Sequence, residues 1–263
     1  LAQPDILAVE EPLEIRVVFG PEGQRQERTL SITMRTPGQD EELVRGFLFA
    51  ERLITDPAQI QRMEVPALRR PLADGHTLVV HLKPELVLDW SRLERHFYLS
   101  SSCGVCGKAS IDMVMERVPG HFFPMTPRLE AARISDLPRR LREAQTLFDS
   151  TGGIHASGLF DVAGALLLLR EDVGRHNAAD KLVGAMLARP ELRERCAVAV
   201  LSGRASFELV QKFLVAGVPI LIAVGAPSSL AVDLAQESGM TLIGFAGRGH
   251  FNVYTGLQRI AGG

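Results

Sequence analysis

Cysteine is scarce in this chain: three residues in 263, too few for a disulfide framework. No apolar run approaches the roughly 20 residues that would span a bilayer. A surplus of one charge is missing as well. With 29 Lys and Arg against 31 Asp and Glu, the net charge of −2 exerts no general pull on nucleic acid or an anionic membrane. Any anion site must therefore be local. Leu1-Ala2-Gln3-Pro4-Asp5 has no basic stretch leading into an apolar one, so a secretory signal is not expected and the protein reads as cytoplasmic. Internal repeats and low-complexity segments are also absent. What remains is an ordinary globular composition, 46% hydrophobic and 23% charged. The length is large for one domain and comfortable for two.

The first part of the chain reads as β-rich with one helix. Residues 13–19 and 29–34 alternate apolar and polar and are rich in β-branched side chains, on either side of the turn-forming Gly20-Pro21-Glu22-Gly23. Asp40-Glu41-Glu42 opens an amphipathic helix expected over residues 40–54, with acids where the helix dipole favours them. Strands are expected at 59–65 and 76–82. A break through Pro119-Gly120, Pro124 and Pro127 divides the chain into a β-rich domain, residues 1–125, and a second domain, residues 126–263.

The second part alternates. A helix capped by Ser135 is expected to residue 148, then a hairpin of 159–161 with 165–169. Helices at 177–188, 206–215 and 228–238 follow, interleaved with strands at 197–201, 219–224 and 241–245. AVAVL and ILIAV are apolar at every position, as befits parallel strands covered on both faces. The fold class is therefore α/β, α+β overall, with a smaller β-rich domain in front.

Parallel strands place their carboxyl ends on one edge, where ligands bind. The loops expected there are Ser202-Gly203-Arg204-Ala205-Ser206, Gly225-Ala226-Pro227-Ser228-Ser229 and Phe245-Ala246-Gly247-Arg248-Gly249-His250. Each carries glycine, two lead into serine-started helices, and two supply an arginine: a cradle for phosphates. Glu171-Asp172-Val173-Gly174-Arg175-His176-Asn177, at the hairpin exit, joins the cradle and leaves a carboxylate free to read a base edge. Turns and caps use the same residue types for purely structural reasons, and no loop matches a Rossmann or Walker pattern. His155 reads equally as a satisfied loop histidine or a cofactor contact.

The segment Ser100-Ser101-Ser102-Cys103-Gly104-Val105-Cys106-Gly107-Lys108 brings two cysteines together. Small neighbours, Lys108 and a helix expected over 108–117 all favour the thiolate. Zinc ligation lacks a second pair, and a thioredoxin-like dithiol would follow a strand within a βαβ unit. Both remain alternatives, as does a structural role, beside nucleophilic or carrier chemistry. Cys196, next to a buried strand, reads as core.

The segments EEPLEIRV, SITMRTPGQDEELVRGFLFAERLI, SSCGVCGK, TGGIHASGLF, EDVGRHNAADKLVG, SGRASFELVQK and GFAGRGHFNVY resemble the FdhD/NarQ family from about residue 10 to 255. The resemblance implies an accessory sulfurtransferase for formate dehydrogenase. Such a protein takes sulfur as a cysteine persulfide from an IscS-type cysteine desulfurase. It passes that sulfur to the molybdenum cofactor, a bis(molybdopterin guanine dinucleotide), which GDP would mimic. By the same resemblance Cys103 carries the persulfide with Cys106 as companion, and Phe245 to His250 bind the cofactor. Ser202, Gly203, Arg204, Asp172 and His176 join the expected cofactor site from the loop reading. The family fold is similar to cytidine deaminase, and a homodimer is implied. His155-Ala156-Ser157 lacks the carboxylate of a deaminase His-x-Glu, which disfavours a zinc hydrolase. A cofactor chaperone without sulfur transfer is the other alternative.

Overall fold

The computed structural model describes residues 5–66, 76–88, 123 and 127–262. Strands β1 (Glu11–Phe19) and β2 (Gln26–Arg35) form a hairpin, and β3 (Ile60–Glu64) and β4 (Thr77–Leu82) complete a sheet of order β2-β1-β4-β3. β1 runs parallel to β4, and the other pairings are antiparallel. Leu13, Ile15 and Val17 point from β1 into the core.

Helix α1 (Asp40–Ala50) starts where its acidic first turn was expected but stops four residues early. Arg52 adopts a left-handed φ of 60°, and the amides of Leu53 and Ile54 turn back to the Leu48 carbonyl. This tight turn still delivers Leu53 and Ile54 into the core.

In the second half, β5 (Leu129–Glu130) leads into α2 (Ala131–Glu143), followed by α3 (Thr146–Thr151), β6 (His155–Phe160) and β7 (Leu166–Asp172). Then come α4 (Arg175–Leu187), α5 (Pro190–Arg195), β8 (Val198–Leu201), α6 (Phe207–Val215), β9 (Ile220–Ala223), α7 (Ser229–Glu237), β10 (Thr241–Gly247), β11 (His250–Thr255) and β12 (Ile260–Ala261). Two sequence expectations change. Ser135 sits inside α2, its hydroxyl bonded to the Ala132 carbonyl, and does not cap it. The single helix expected over 135–148 is two helices, because Gln145 adopts extended backbone angles and a distant side chain, Glu171, caps α3. Its carboxylate accepts from the Leu147 and Phe148 amides at 3.1 and 3.0 Å.

The six-stranded sheet is mixed, in order β11-β10-β9-β8-β6-β7. β8, β9 and β10 are parallel; β6 is antiparallel to β7 and β8, and β11 to β10. Alternate residues serve two cores, which is why its strands read as unbroken apolar runs. Val198, Val200, Ile220, Ile222 and Ile243 pack with Ile134, Leu137 and Leu141 of α2. Ala199, Leu201, Leu221, Ala223 and Leu242 join α4, α6 and α7 in a cluster that continues through α1 to the four-stranded sheet. The two halves of the chain thus share a core, joined where α1 crosses α4. Polar links reinforce the crossing: Arg170 makes a two-pronged contact with Glu42 at 2.5 and 2.9 Å, and Arg189 adds a third bond at 3.2 Å. Among the described residues no helix is long and apolar enough to cross a membrane.

Candidate functional site

The carboxyl ends of β8, β9 and β10 lie on one sheet edge, and the register brings two further chain ends there. Because β6 is antiparallel to β8, it begins on that edge with His155; β7 ends opposite it with Asp172. The loops are laced by backbone hydrogen bonds. Gly225 N donates to Gly203 O at 2.9 Å, Phe245 N to Gly225 O at 3.1 Å, and Ser228 N to Ala205 O at 3.0 Å. A side chain at 225 would meet Arg204 Cγ at 2.9 Å, so only glycine allows this approach. Ser202 extends the sheet by one step, its hydroxyl accepting from Ala156 N at 2.8 Å.

Between this rim and the helices α2 and α3 runs a cleft of about 770 Å³. Ser202, Ala246, Gly247 and Arg248 line the rim side together with His155, while Arg139, Arg142, Gln145 and Phe148 face them from the helices. A second groove of about 630 Å³ adjoins it, lined by Arg133, Arg139, Arg140 and Gly249, with Arg248 common to both. Arg248 is exposed and has no hydrogen-bond or ion-pair partner among the described residues. Its φ of 50° and the 52° of Phe245 put two non-glycine residues in the left-handed region within four positions. Such strain marks a segment whose shape is imposed by its surroundings. The segment expected as a loop is the tip of a hairpin, β10 ending at Gly247 and β11 starting at His250, so Phe245 and His250 lie at the rim but do not line the cleft.

The other expected site residues fall differently. Gly203 lies against the His155 ring, 3.4 Å from where a Cβ would sit. Arg204 is exposed and does not line the cleft. Asp172 is a correction: it is fully buried and reads no ligand edge. One oxygen meets Lys181 Nζ at 2.8 Å and Thr36 N at 3.1 Å; the other accepts from Gly174 N and Asn177 Nδ2. Lys181 also donates to Thr36 O, and Asn177 to Met34 O, both at 2.7 Å. EDVGRHNAADK is thus largely a clamp that holds the end of β2 onto α4. Glu171 is likewise committed, to capping α3.

His176 stands apart from the cleft residues. It does not line the cleft; half-buried, it sits with Nε2 3.3 Å from the Ser206 hydroxyl. Burial, helped by the nearby Lys212 and Arg175 charges and opposed by Glu208, pushes its pKa down from 6.5 to about 4. Burial and Arg175 lower His155 in the same direction. Both imidazoles are neutral at pH 7. Between pH 6.5 and 4 the unfolded chain binds a proton at His176 that the folded chain does not, so this residue makes stability rise with pH across that window. Asp180, raised by burial to about 6 and paired with Lys212 at 2.8 Å, acts in the opposite sense between about 4 and 6. The difference in thermal midpoint between wild type and His176→Gln, followed from pH 7 to 4, isolates the histidine: wild type should lose stability faster. Parallel curves would remove His176 as a buried neutral group.

Cys196, expected as core, is partly buried, and desolvation raises its thiol pKa to about 12, leaving it unreactive at neutral pH. Cys103 and Cys106 lie outside the described residues. Among the described residues no group of three His, Cys, Asp or Glu side chains is arranged to hold a metal ion. Missed from the sequence was the helical wall. Its available signal was the pair Arg139 and Arg142, three apart in α2 and so on one side of the helix.

The model of the FdhD/NarQ family matches residues 8–261. The chain belongs to the FdhD/NarQ family. Sulfur carrier proteins of the same family are 48% identical in Streptomyces avermitilis, over 98% of this chain and 90% of the relative, and 45% identical in Mycobacterium tuberculosis, over 99% and 93%. The fold is shared with the crystal structure of a Desulfotalea psychrophila protein described as a formate dehydrogenase accessory protein. That match has a TM-score of 0.69 and 26% identity, and covers 97% of this chain and 91% of the other. FdhD/NarQ membership thus accounts for the mixed α/β architecture and for a sulfur-carrier and accessory role. It does not assign the cleft.

Proposed function

We propose that this chain is a sulfurtransferase that loads sulfur onto Cys103 from an IscS-type cysteine desulfurase and delivers it to a molybdenum cofactor docked at the rim, for use by formate dehydrogenase. The observation that carries the reading is the cleft. It combines an apolar wall with two arginines on α2 and the unpartnered Arg248 opposite, as a nucleotide-bearing ligand requires. In the first step the Cys103 thiolate attacks the outer sulfur of the desulfurase persulfide, forming Cys103–S–SH and releasing the desulfurase thiolate. In the second the terminal sulfur leaves as hydrosulfide when the Cys106 thiolate attacks the inner sulfur, giving a Cys103–Cys106 disulfide that a thiol reductant reopens. Arg248, Ser202 and the Gly247 backbone hold the phosphates. The neutral His155 lies beside them as a hydrogen-bond partner.

The test is mass spectrometry after incubation with desulfurase and cysteine. Wild type should gain the mass of one sulfur on the peptide that contains Cys103. Cys103→Ala should gain none there and should fail to activate formate dehydrogenase. Activation without any added sulfur would overturn the relay and leave a cofactor-binding chaperone.

A further inference from the structure

The second groove has no part in the site described so far. It runs between α2, the β6–β7 turn at Ala163 and Gly164, and the hairpin tip at Arg248 and Gly249. Arg133, Arg139, Arg140 and Arg248 line it against only two acids, Glu130 and Asp136. That local excess of positive charge stands out in a chain whose net charge is −2. Two of the guanidinium groups are held in place by backbone. Arg133 donates from Nη1 to the Ala163 carbonyl, and Arg140 from Nη1 to the Gly164 carbonyl at 2.9 Å. Those carbonyls belong to neighbouring residues, so the two heads converge on one turn although their backbones lie about two helical turns apart. Both side chains are nearly half exposed, 45% and 46%, and Nη2 of each makes no hydrogen bond among the described residues. Arg139 borders both grooves but is spent on Asp136 and Glu143. Arg248 borders both and has no such partner.

The lining says what kind of occupant fits. Unlike the cleft, this groove has no aromatic ring, its apolar part being Leu137 and two alanines, so nothing is provided for a flat ligand. Exposed ion pairs are each worth little, and useful affinity needs several at once. Carboxylates spaced along a chain supply them together. The acceptor of a carrier's cargo must also dock beside that cargo, and this groove adjoins the cleft. We propose that the groove docks an acidic segment of the protein that receives the cargo, its carboxylates bridging Arg133, Arg140 and Arg248. The proposal rests on the carrier reading above for who the partner is, and on the arginines for what it must carry. Because Arg248 is shared, a docked segment and a ligand in the cleft compete for one guanidinium, and each weakens the other. Docking thereby loosens the ligand once its acceptor is in place.

Fluorescence anisotropy with a labelled hexaglutamate peptide tests this on the full chain, with GDP titrations and thermal unfolding alongside. Wild type should bind hexaglutamate but not hexaserine, and raising NaCl from about 50 to about 300 mM should weaken binding about fivefold or more, since exposed charges are screened. Arg133→Gln combined with Arg140→Gln should weaken it about tenfold, with GDP affinity unchanged because neither residue lines the cleft. Arg133→Lys combined with Arg140→Lys keeps both charges; it should bind within about threefold of wild type, and it serves if the glutamine variant does not fold. Arg248→Ala should weaken both peptide and GDP. Saturating peptide should raise the Kd for GDP about threefold or more. The proposal is overturned if wild type binds no hexaglutamate, if the glutamine variant binds it like wild type, or if GDP affinity ignores the peptide. A lysine variant as poor as the glutamine variant, with a lowered thermal midpoint, would make the arginines mere props for the turn and overturn it as well. So would displacement of the peptide by equimolar inorganic phosphate, the mark of a general anion site. A wild type that binds the peptide through these arginines but binds no GDP overturns the nucleotide reading of the cleft and supports the docking.

Discussion

Gly46→Ala is expected to leave little folded protein, and Gly184→Ala to do the same. Both glycines lie in helices, where alanine ordinarily adds stability, by about 1 kcal/mol relative to glycine. Here the sign reverses. A Cβ at 46 would stand 1.9 Å from the Asp180 carbonyl oxygen, and one at 184 would stand 1.8 Å from that of Glu42. The obstacle is backbone in both cases, so no side chain can swing aside, and α1 and α4 would have to separate. That separation opens the cluster running from Leu13 through Leu48 to Leu182 and strains the Arg170–Glu42 contact. Overpacking ordinarily costs about 1–3 kcal/mol; against rigid backbone the loss should exceed about 4 kcal/mol, a large share of a domain's total stability. Urea unfolding, or soluble yield if the variant does not accumulate, measures it. Gly153→Ala, with φ outside the left-handed region and its nearest obstacle 3.8 Å away, is the control and should change little. A midpoint for Gly46→Ala near that of wild type would mean that the helices cross more loosely.

Local patterning made most of the architecture legible. The β1–β2 hairpin, the acidic start of α1 and the VAVL and ILIA strands each carry their own signal, and the parallel order placed Ser202, Ala246, Gly247 and Arg248 on one edge from sequence alone. What escaped depends on distant partners. The break between α2 and α3 is made by Glu171, more than 20 residues along the chain, and no local propensity at Ala144 or Gln145 announces it. Asp172 reads as a free carboxylate because its neighbours in sequence are polar and flexible; its real environment is Lys181, one helical face away, and Thr36 of the other half. β11 was hidden because the glycines of 247 and 249 suggest a loop, and they do make a turn, but one that folds a strand back onto β10.

The clamp at Asp172 leads to the second large effect, Lys181→Met. Both partners are fully buried, so the substitution strands a carboxylate in the interior with the Thr36, Gly174 and Asn177 donors but no counter-charge. Breaking one side of such a pair typically costs about 3–5 kcal/mol. Asp172→Asn should cost a similar amount from the opposite side, because it removes the ammonium's counter-charge and its new NH2 group sets a donor against donors on one side of the clamp, either Lys181 and Thr36 N or Gly174 N and Asn177. In many buried pairs an apolar replacement of both members recovers the loss. Here it should not. Asp172 also serves the main-chain amides of Thr36 and Gly174, and Asp172→Leu combined with Lys181→Met would orphan both, at about 1–3 kcal/mol each. The double variant should therefore be less damaged than the two single losses summed, yet remain well below wild type in urea unfolding. Full recovery would show that the pair supplies only cancelling charges. Persistent damage would show that Asp172 is held in place to terminate backbone, at the point where the end of β2 meets the N-terminus of α4 and the rim begins.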